Sequence, residues 1–314
     1  VLNMGVTNVR VSIGKRRLGA ALALLAALAW LPGAPADDVL PQRWVSAGGS
    51  LSEWVVALGG ADRLVGVDTT SLHPTFLQDL PSIGYQRQLA AEGILALRPD
   101  LLLGSEEMGP PPVLQQLRAA GVRIETLSAQ ADLATLEDNL TRLGALLGEP
   151  QRARQALAAF RSRIESQQAW IAEAQRSQEA PGVVLLLGHP SGSAMAGGRD
   201  TAAAWLIEQA GGRTLTRHSG YKALSSEALL ALDPDVVIFT DRRLLEADEA
   251  RQALMRQNPA LASTRAAREG RMVALDPTLL VGGLGPRIPE GLAALSAAFY
   301  PARSPLPAEA TPDR

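Results

Sequence analysis

The sequence predicts an α/β protein of two Rossmann-like lobes joined by one long α-helix, and three observations carry that expectation. The chain repeats itself: "LAAEGILALRPDLLL", from Leu89, matches "LSSEALLALDPDVVI", from Leu224, at Leu, Glu, Leu, Ala, Leu, Pro and Asp with a constant offset of 135 residues. Short apolar runs recur between turn residues, each followed by an amphipathic segment. One stretch, Glu149 to Gln178, holds no glycine and a single proline near its start, where a helix tolerates it.

Further pairs support the duplication. Gly84-Tyr85 and Gly220-Tyr221 precede the two copies, and "EWVVALGGADRLVG", from Glu53, resembles "AWLIEQAGGRTLTR", from Ala204, with Trp54 above Trp205. Both place an apolar helical face just before a Gly-Gly stop. A weaker echo links "RAAGVRIETL" with "AREGRMVALD", each a helix end, a turn and a strand.

The strands follow in order as "RWVSA", "DLLLG", "VRIETL", "GVVLLLG", "DVVIF" and "RMVALD". They are continuous rather than alternating, as parallel strands covered on both faces should be. The repeated Leu-x-Pro-Asp reads as a helix that stops before proline and hands over to such a strand. In the connector, Ala153, Ala156, Leu157, Phe160, Ile164 and Ile171 recur at helical spacing while Arg and Gln fill the other face. About 28 residues at ~1.5 Å each give a rod of ~42 Å, long enough to span both lobes and to limit hinge opening. The expected organisation is a targeting segment over 1–36, a first lobe over 37–148, the connector over 149–178 and a second lobe over 179–314.

The targeting segment is read from Lys15-Arg16-Arg17, the apolar run "LGAALALLAALAW" and the small residues Ala34 and Ala36, which place cleavage after Ala36. Removing Arg10, Lys15, Arg16 and Arg17 changes the charge from 30 − 32 = −2 to 26 − 32 = −6. An acidic exported protein is a poor partner for nucleic acid or anionic lipid. With no cysteine there is no disulfide, thiolate metal site or lipid-bearing cysteine. A soluble monomer in the periplasm is expected. Of the 30 basic residues only Lys15 and Lys222 are lysine, so an arginine is singled out here by position and not by abundance.

Catalytic motifs are lacking. "SAGGSLSEW" reads as a strand, a glycine turn and a helix capped by Ser50 with Glu53 three residues on, without the spacing of a dinucleotide loop. "GHPSGS" lacks the order of a nucleophile elbow, and no acid, base and nucleophile converge by spacing, so no enzyme is expected. The three histidines, His73, His189 and His218, are scattered, a poor match to a zinc or manganese cluster. "VGGLGPRIPEGL" reads as a loop and helix start at a lobe rim.

This layout, with its "E-x-I-L-x-L-x-P-D-L" signature, resembles the periplasmic substrate-binding proteins of ABC transporters for iron chelates, heme and cobalamin, over nearly the whole chain after the leader. More narrowly, "GYQRQLAAEGILALRPDLLLG" is similar to the corresponding segment of the hemin-binding members. The resemblance implies that Tyr85 is the axial ligand of ferric heme (heme b). A phenolate oxygen suits hard Fe(III), but a phenol of pKa near ~10 must lose its proton to serve, helped by the metal and a nearby cation. Arg87, and Arg242 in "FTDRR" at the carboxyl end of a second-lobe strand, are candidates for that cation or for the propionates; Arg243 ranks below them. Tyr221 holds the place of Tyr85 in the second copy, as a heme-face aromatic, a second ligand or a locally packed relic. Because "GYKALSSEALLALDPD" keeps the tyrosine but not the arginine, metal binding is expected on Tyr85 alone. His73 is a further pocket candidate and His189 a structural residue.

The resemblance also implies that Glu92 and Glu227, the repeated acids, dock one lobe each onto a dimeric inner-membrane permease, where charge complementarity sets orientation. An acid in a first helical turn is also favoured by the helix dipole alone. The implied partners are that permease, heme and an outer-membrane heme-uptake system. A ferric siderophore or cobalamin on the same fold is the nearest alternative; an exported hydrolase or redox enzyme is disfavoured.

Overall fold

A computed structural model describes Gly5 and residues 40–188, 194–240 and 247–306. The leader and its cleavage point, His189, Arg242 and Arg243 lie outside the described residues. All six runs read as strands are strands. In the first lobe β1 (Trp44–Ala47), β2 (Leu64–Val67), β3 (Leu101–Ser105) and β4 (Arg123–Leu127) form a parallel sheet of order β2-β1-β3-β4. Its helices are α1 (Gly49–Ala57), α2 (Ala91–Ala96), α3 (Pro111–Ala119) and α4 (Leu133–Leu147). The connector, α5, runs over Pro150–Ala174, 25 residues, or about 38 Å at ~1.5 Å per residue.

The second lobe contains β5 (Gly182–Leu187), β6 (Met195–Gly197), α6 (Ala202–Gln209), β7 (Arg213–Thr214), β8 (Tyr221–Ala223), α7 (Ser226–Leu232), β9 (Val236–Thr240), α8 (Ala247–Gln257), the one-turn α9 (Arg265–Arg268), β10 (Met272–Leu275) and α10 (Ile288–Phe299). Strands β7, β5, β9 and β10 repeat the parallel order of the first sheet. The additions are β6 and β8, which continue the sheet antiparallel from the far end of β5.

The repeated Pro-Asp has a physical reason in both lobes. Each helix ends through a residue with positive φ, Arg98 at 49° and Asp233 at 36°, just before the proline. The aspartate carboxylate then accepts backbone N–H bonds at the start of the central strand. Asp100 takes Gln42 and Arg43 at 2.8 and 3.0 Å, and Asp235 takes Gly182 at 2.7 Å. One motif therefore ends a helix and fixes where two parallel strands begin.

Alternate side chains of the sheets enter different cores, as the period of two requires. Trp44, Leu101 and Leu103, with Val183, Leu185, Val236 and Ile238, share one continuous core with α1, α4, α5, α6 and α10. The opposite faces are covered within each lobe: Val45, Ala47 and Leu102 by α2 and α3, and Val184, Leu186, Val237 and Phe239 by α7, α8 and α9. The connector buries Ala153, Leu157, Phe160, Ile164 and Ile171, as its periodicity predicts, together with Gln167, Trp170 and Ala174. It is part of the core of both lobes. Rotating one lobe on the other would open that core to water, so large hinge motion is costly.

Candidate functional site

The segment bearing Tyr85 is fixed at the carboxyl ends of β2 and β3, where ligands meet open α/β sheets. After β2 the chain returns so that Val67 and Ile83 exchange backbone bonds with Pro81 and Val67 at 3.0 and 2.9 Å. Gly84, at φ +82°, turns it sharply and accepts the Thr69 N–H at 3.0 Å. Tyr85 follows in extended conformation, half-buried, and opens a single 3-10 turn over Gln86–Gln88. That turn is stitched to the loop after β3: the Gly109 N–H donates to Gln86 O at 2.9 Å and the Leu89 N–H to Gly109 O at 2.8 Å.

The stitching sets an ion pair. Arg87 Nη2 donates to Glu107 Oε1 at 2.6 Å, and Gln86 Nε2 reaches Glu107 Oε2 at 3.4 Å. Gln86 is fully buried and its Oε1 has no partner among the described residues. Burial alone would lower the Arg87 guanidinium pKa, but the Glu107 pair, with Tyr85 and Tyr221 within electrostatic reach, outweighs that and raises it. Tyr221 comes from the second lobe. Tyr85, Arg87 and Glu107 therefore face Tyr221 across a cleft between the lobes.

Tyr221 itself is tied to its own lobe. Its hydroxyl is hydrogen-bonded by the Ala203 amide at the start of α6 and by Thr201. Burial pushes its phenol above the ordinary value of 10.0, Glu107 adds to the rise, and Arg87 opposes it, so Tyr221 keeps its proton at neutral pH. His218 is likewise local, its Nε2 lying 3.1 Å from Ala196 O.

A second meeting of the lobes is closed by charge. Glu53, 5% exposed on α1, receives two bonds from Arg287 of the second lobe, Nε to Oε2 at 2.9 Å and Nη2 to Oε1 at 2.7 Å. Arg287 Nη1 also donates to Asp276 Oδ2 at 2.8 Å, and His73 of the first lobe lies 3.0 Å from the same oxygen. Burial raises the Glu53 pKa despite Arg287. At Asp276 burial also pushes upward, but bonds from Thr278 and Arg287 prevail and the pKa falls below its usual 3.8. Trp54 Nε1 donates to Leu284 O at 2.7 Å beside this network.

Several sequence expectations change here. Ser50 does not cap α1: the residue before that helix is Gly48, without a side-chain cap, and Glu53 serves Arg287 instead of closing a capping box. "VGGLGPR" is no open rim, since a Cβ at Gly285 would lie 2.9 Å from Ser50 Oγ and one at Gly282 3.7 Å from Gly48 Cα. The structure brings Tyr85, Arg87 and Tyr221 together and places His73 apart from them, in the network with Asp276. Glu92 and Glu227 are exposed in the first turns of α2 and α7, one in each lobe. Bonds from its own amide and from Ser225 lower the Glu227 pKa. Glu107 and the Glu53–Arg287 pair are additions. "SEE" at the end of β3 marks a crevice carboxylate, but Glu106 turns away to accept the Ala129 N–H at 2.9 Å.

The description "Periplasmic binding protein" belongs to the family whose pattern this chain matches over residues 45–279. The chain belongs to that family. Among solved relatives, a periplasmic heme-binding protein of Pseudomonas aeruginosa is 65% identical, with 85% of this chain and 95% of that one covered at a TM-score of 0.83. The periplasmic heme-binding protein RhuT of Roseiflexus sp. RS-1 is 36% identical over 83% of this chain and 98% of its own, at a TM-score of 0.75. A cobalamin-binding protein of Halobacterium salinarum is 28% identical over 84% of this chain and 70% of its own. The duplicated sheets and single connector described above are thus those of a periplasmic binding protein of two lobes, the architecture the sequence predicts.

Proposed function

We propose that this protein carries ferric heme in the periplasm, taking it between its lobes on Tyr85 and handing it to an ABC permease of the inner membrane. The observation that carries the reading is the placement of a half-buried tyrosine beside an arginine at the carboxyl ends of β2 and β3, facing the second lobe. The heme-binding relatives, among them the one at 65% identity, support the same ligand. Tyr85 supplies an oxygen ligand through its phenolate, and the positive charge of Arg87 favours loss of the phenolic proton. Arg242, at the carboxyl end of β9, is the second-lobe candidate for the propionates. Tyr221, held neutral, offers its ring and not its oxygen. His73, engaged by Asp276, is not among the proposed ligands.

No bond of the cargo is made or broken in this reading. Affinity and release are the function, and the shared core keeps closure small, so the permease must pry the lobes apart to release heme. Glu92 and Glu227, one exposed acid per lobe, suit docking to a two-fold permease. Reversing both, Glu92→Arg with Glu227→Arg, should leave hemin binding unchanged and stop heme transfer into permease vesicles. Undiminished transfer would remove both residues from the interface.

Cobalamin in the same cleft is the second reading, favoured by the Halobacterium salinarum relative. Parallel titrations separate the two. Hemin should produce a Soret band of tyrosinate-ligated ferric heme at one equivalent or more, and cyanocobalamin no change. Binding of cyanocobalamin with indifference to hemin reverses the assignment.

A further inference from the structure

A carboxylate beside the proposed ligand residues is unexpected in a cleft that takes a porphyrin with two propionates. Glu107 repels such groups, and an exposed ion pair adds little to stability. Its geometry is nevertheless set by the backbone. The Glu107 N–H donates to Ser105 Oγ at 3.2 Å, the Met108 N–H to Ser105 O at 3.0 Å, and the loop is bound on its far side to Gln86 and Leu89. Two consecutive side chains, Gln86 and Arg87, then reach the one carboxylate. Pairing through two stitched loops is not a chance meeting of long side chains.

We propose that Glu107 is a positioning residue of the ligand site: it holds the Arg87 guanidinium on the Tyr85 wall and, by occupying it, keeps it from clamping the carboxylates of the bound porphyrin. This rests on the heme reading above and assigns Arg87 to one of the two roles open to it. An unoccupied arginine at this exposed position would bind a propionate bidentately and draw it toward the iron ligand. With Glu107 in place the pair is neutral and still presents a cation to the Tyr85 oxygen. The propionates are then directed away from the first-lobe wall. Specificity here comes from a repulsive group as well as attractive ones.

Hemin and its dimethyl ester test this, because they differ in carboxylate charge and share the iron. The readout is the ratio of their dissociation constants, which a loss of structural integrity alone would not raise. In the wild type the ester should bind within about threefold of hemin, propionates adding little at this wall. Glu107→Gln should raise the preference for hemin at least about fivefold, as Arg87 is released to the propionates. Arg87→Gln with Glu107→Gln should restore the wild-type ratio. An unmoved ratio in Glu107→Gln overturns the proposal, and so does a large wild-type preference that Arg87→Gln abolishes. A wild type without a Soret change for either compound ends the heme reading and this one with it; hemin binding with an unmoved ratio ends this one alone. Melting temperatures close to wild type confirm that each variant is folded.

Discussion

The two places where side chains of one lobe face the other are built in opposite ways. At Glu53–Arg287–Asp276–His73 every charge meets an opposite partner across the lobes, Trp54 bonds to Leu284, and glycines bring backbones into contact. At Tyr85–Arg87–Glu107 the ion pair is internal to the first lobe, and Tyr221 opposite is bonded to Thr201 and Ala203 of the second. One side joins the lobes, and the other keeps each lobe's polar groups satisfied within itself. That contrast suits a carrier, because a cleft closed by its own ion pairs would have to break them before admitting a ligand.

The contrast can be broken most severely at the joined side. Arg287→Ala leaves the buried Glu53 carboxylate without its cation, and loss of one partner of a buried pair costs ~3–5 kcal/mol. Urea unfolding should show that loss in full. A change below about 1 kcal/mol would mean that water solvates Glu53 and that the joint is loose.

Next in size is the open side. Tyr85→Phe should weaken hemin binding at least ~100-fold, about 2.7 kcal/mol, and erase the tyrosinate Soret signature. Stability should move by no more than about 0.5 kcal/mol, since this wall does not join the lobes. Retention of both spectrum and affinity would take the iron off Tyr85.

The open side was more legible in the sequence than the joined one. Tyr85, Arg87 and Tyr221 are near a repeated motif, and the repeat brings them to equivalent strand ends. Glu53 and Arg287 are 234 residues apart, and the local pattern around Glu53 reads as a capping box, a rule that a tertiary partner displaced. Within the fold, apolar runs of four or more residues identified the main parallel strands. The antiparallel β6 and β8 were not seen because three residues, Met195–Gly197 or Tyr221–Ala223, carry too little periodicity to read. Glu107 was hidden for another reason: adjacent glutamates at a strand end are equivalent in sequence until the loop turns one outward.

A smaller test of the joined side uses pH. The Asp276 pKa is lowered in the native state, so its contribution is fully present above the ordinary value of 3.8 and is lost as pH falls through the lowered native value. Asp276→Asn should therefore cost on the order of 1–2 kcal/mol at pH 7, the scale of a hydrogen bond to a charged group. The gap from wild type should shrink on acidification below pH 3.8. A gap that stays constant with pH would assign the loss to packing.

The smallest effect is expected at the repeat partner of Tyr85. Both tyrosines follow a glycine of positive φ, 82° at Gly84 and 71° at Gly220, yet Tyr85 enters a loop turn while Tyr221 enters strand β8. The strand carries the Tyr221 hydroxyl to the start of α6, where a helix amide and Thr201 hold it, and burial keeps it protonated. Deleting that hydroxyl removes a hydrogen bond inside the second lobe and no charge from the cleft. Tyr221→Phe should thus change hemin affinity less than about threefold, under ~0.7 kcal/mol, with an unaltered Soret band. If its affinity instead falls as far as that of Tyr85→Phe, the iron is held from both lobes, and the duplication has preserved a ligand where the hydrogen bonds indicate a wall.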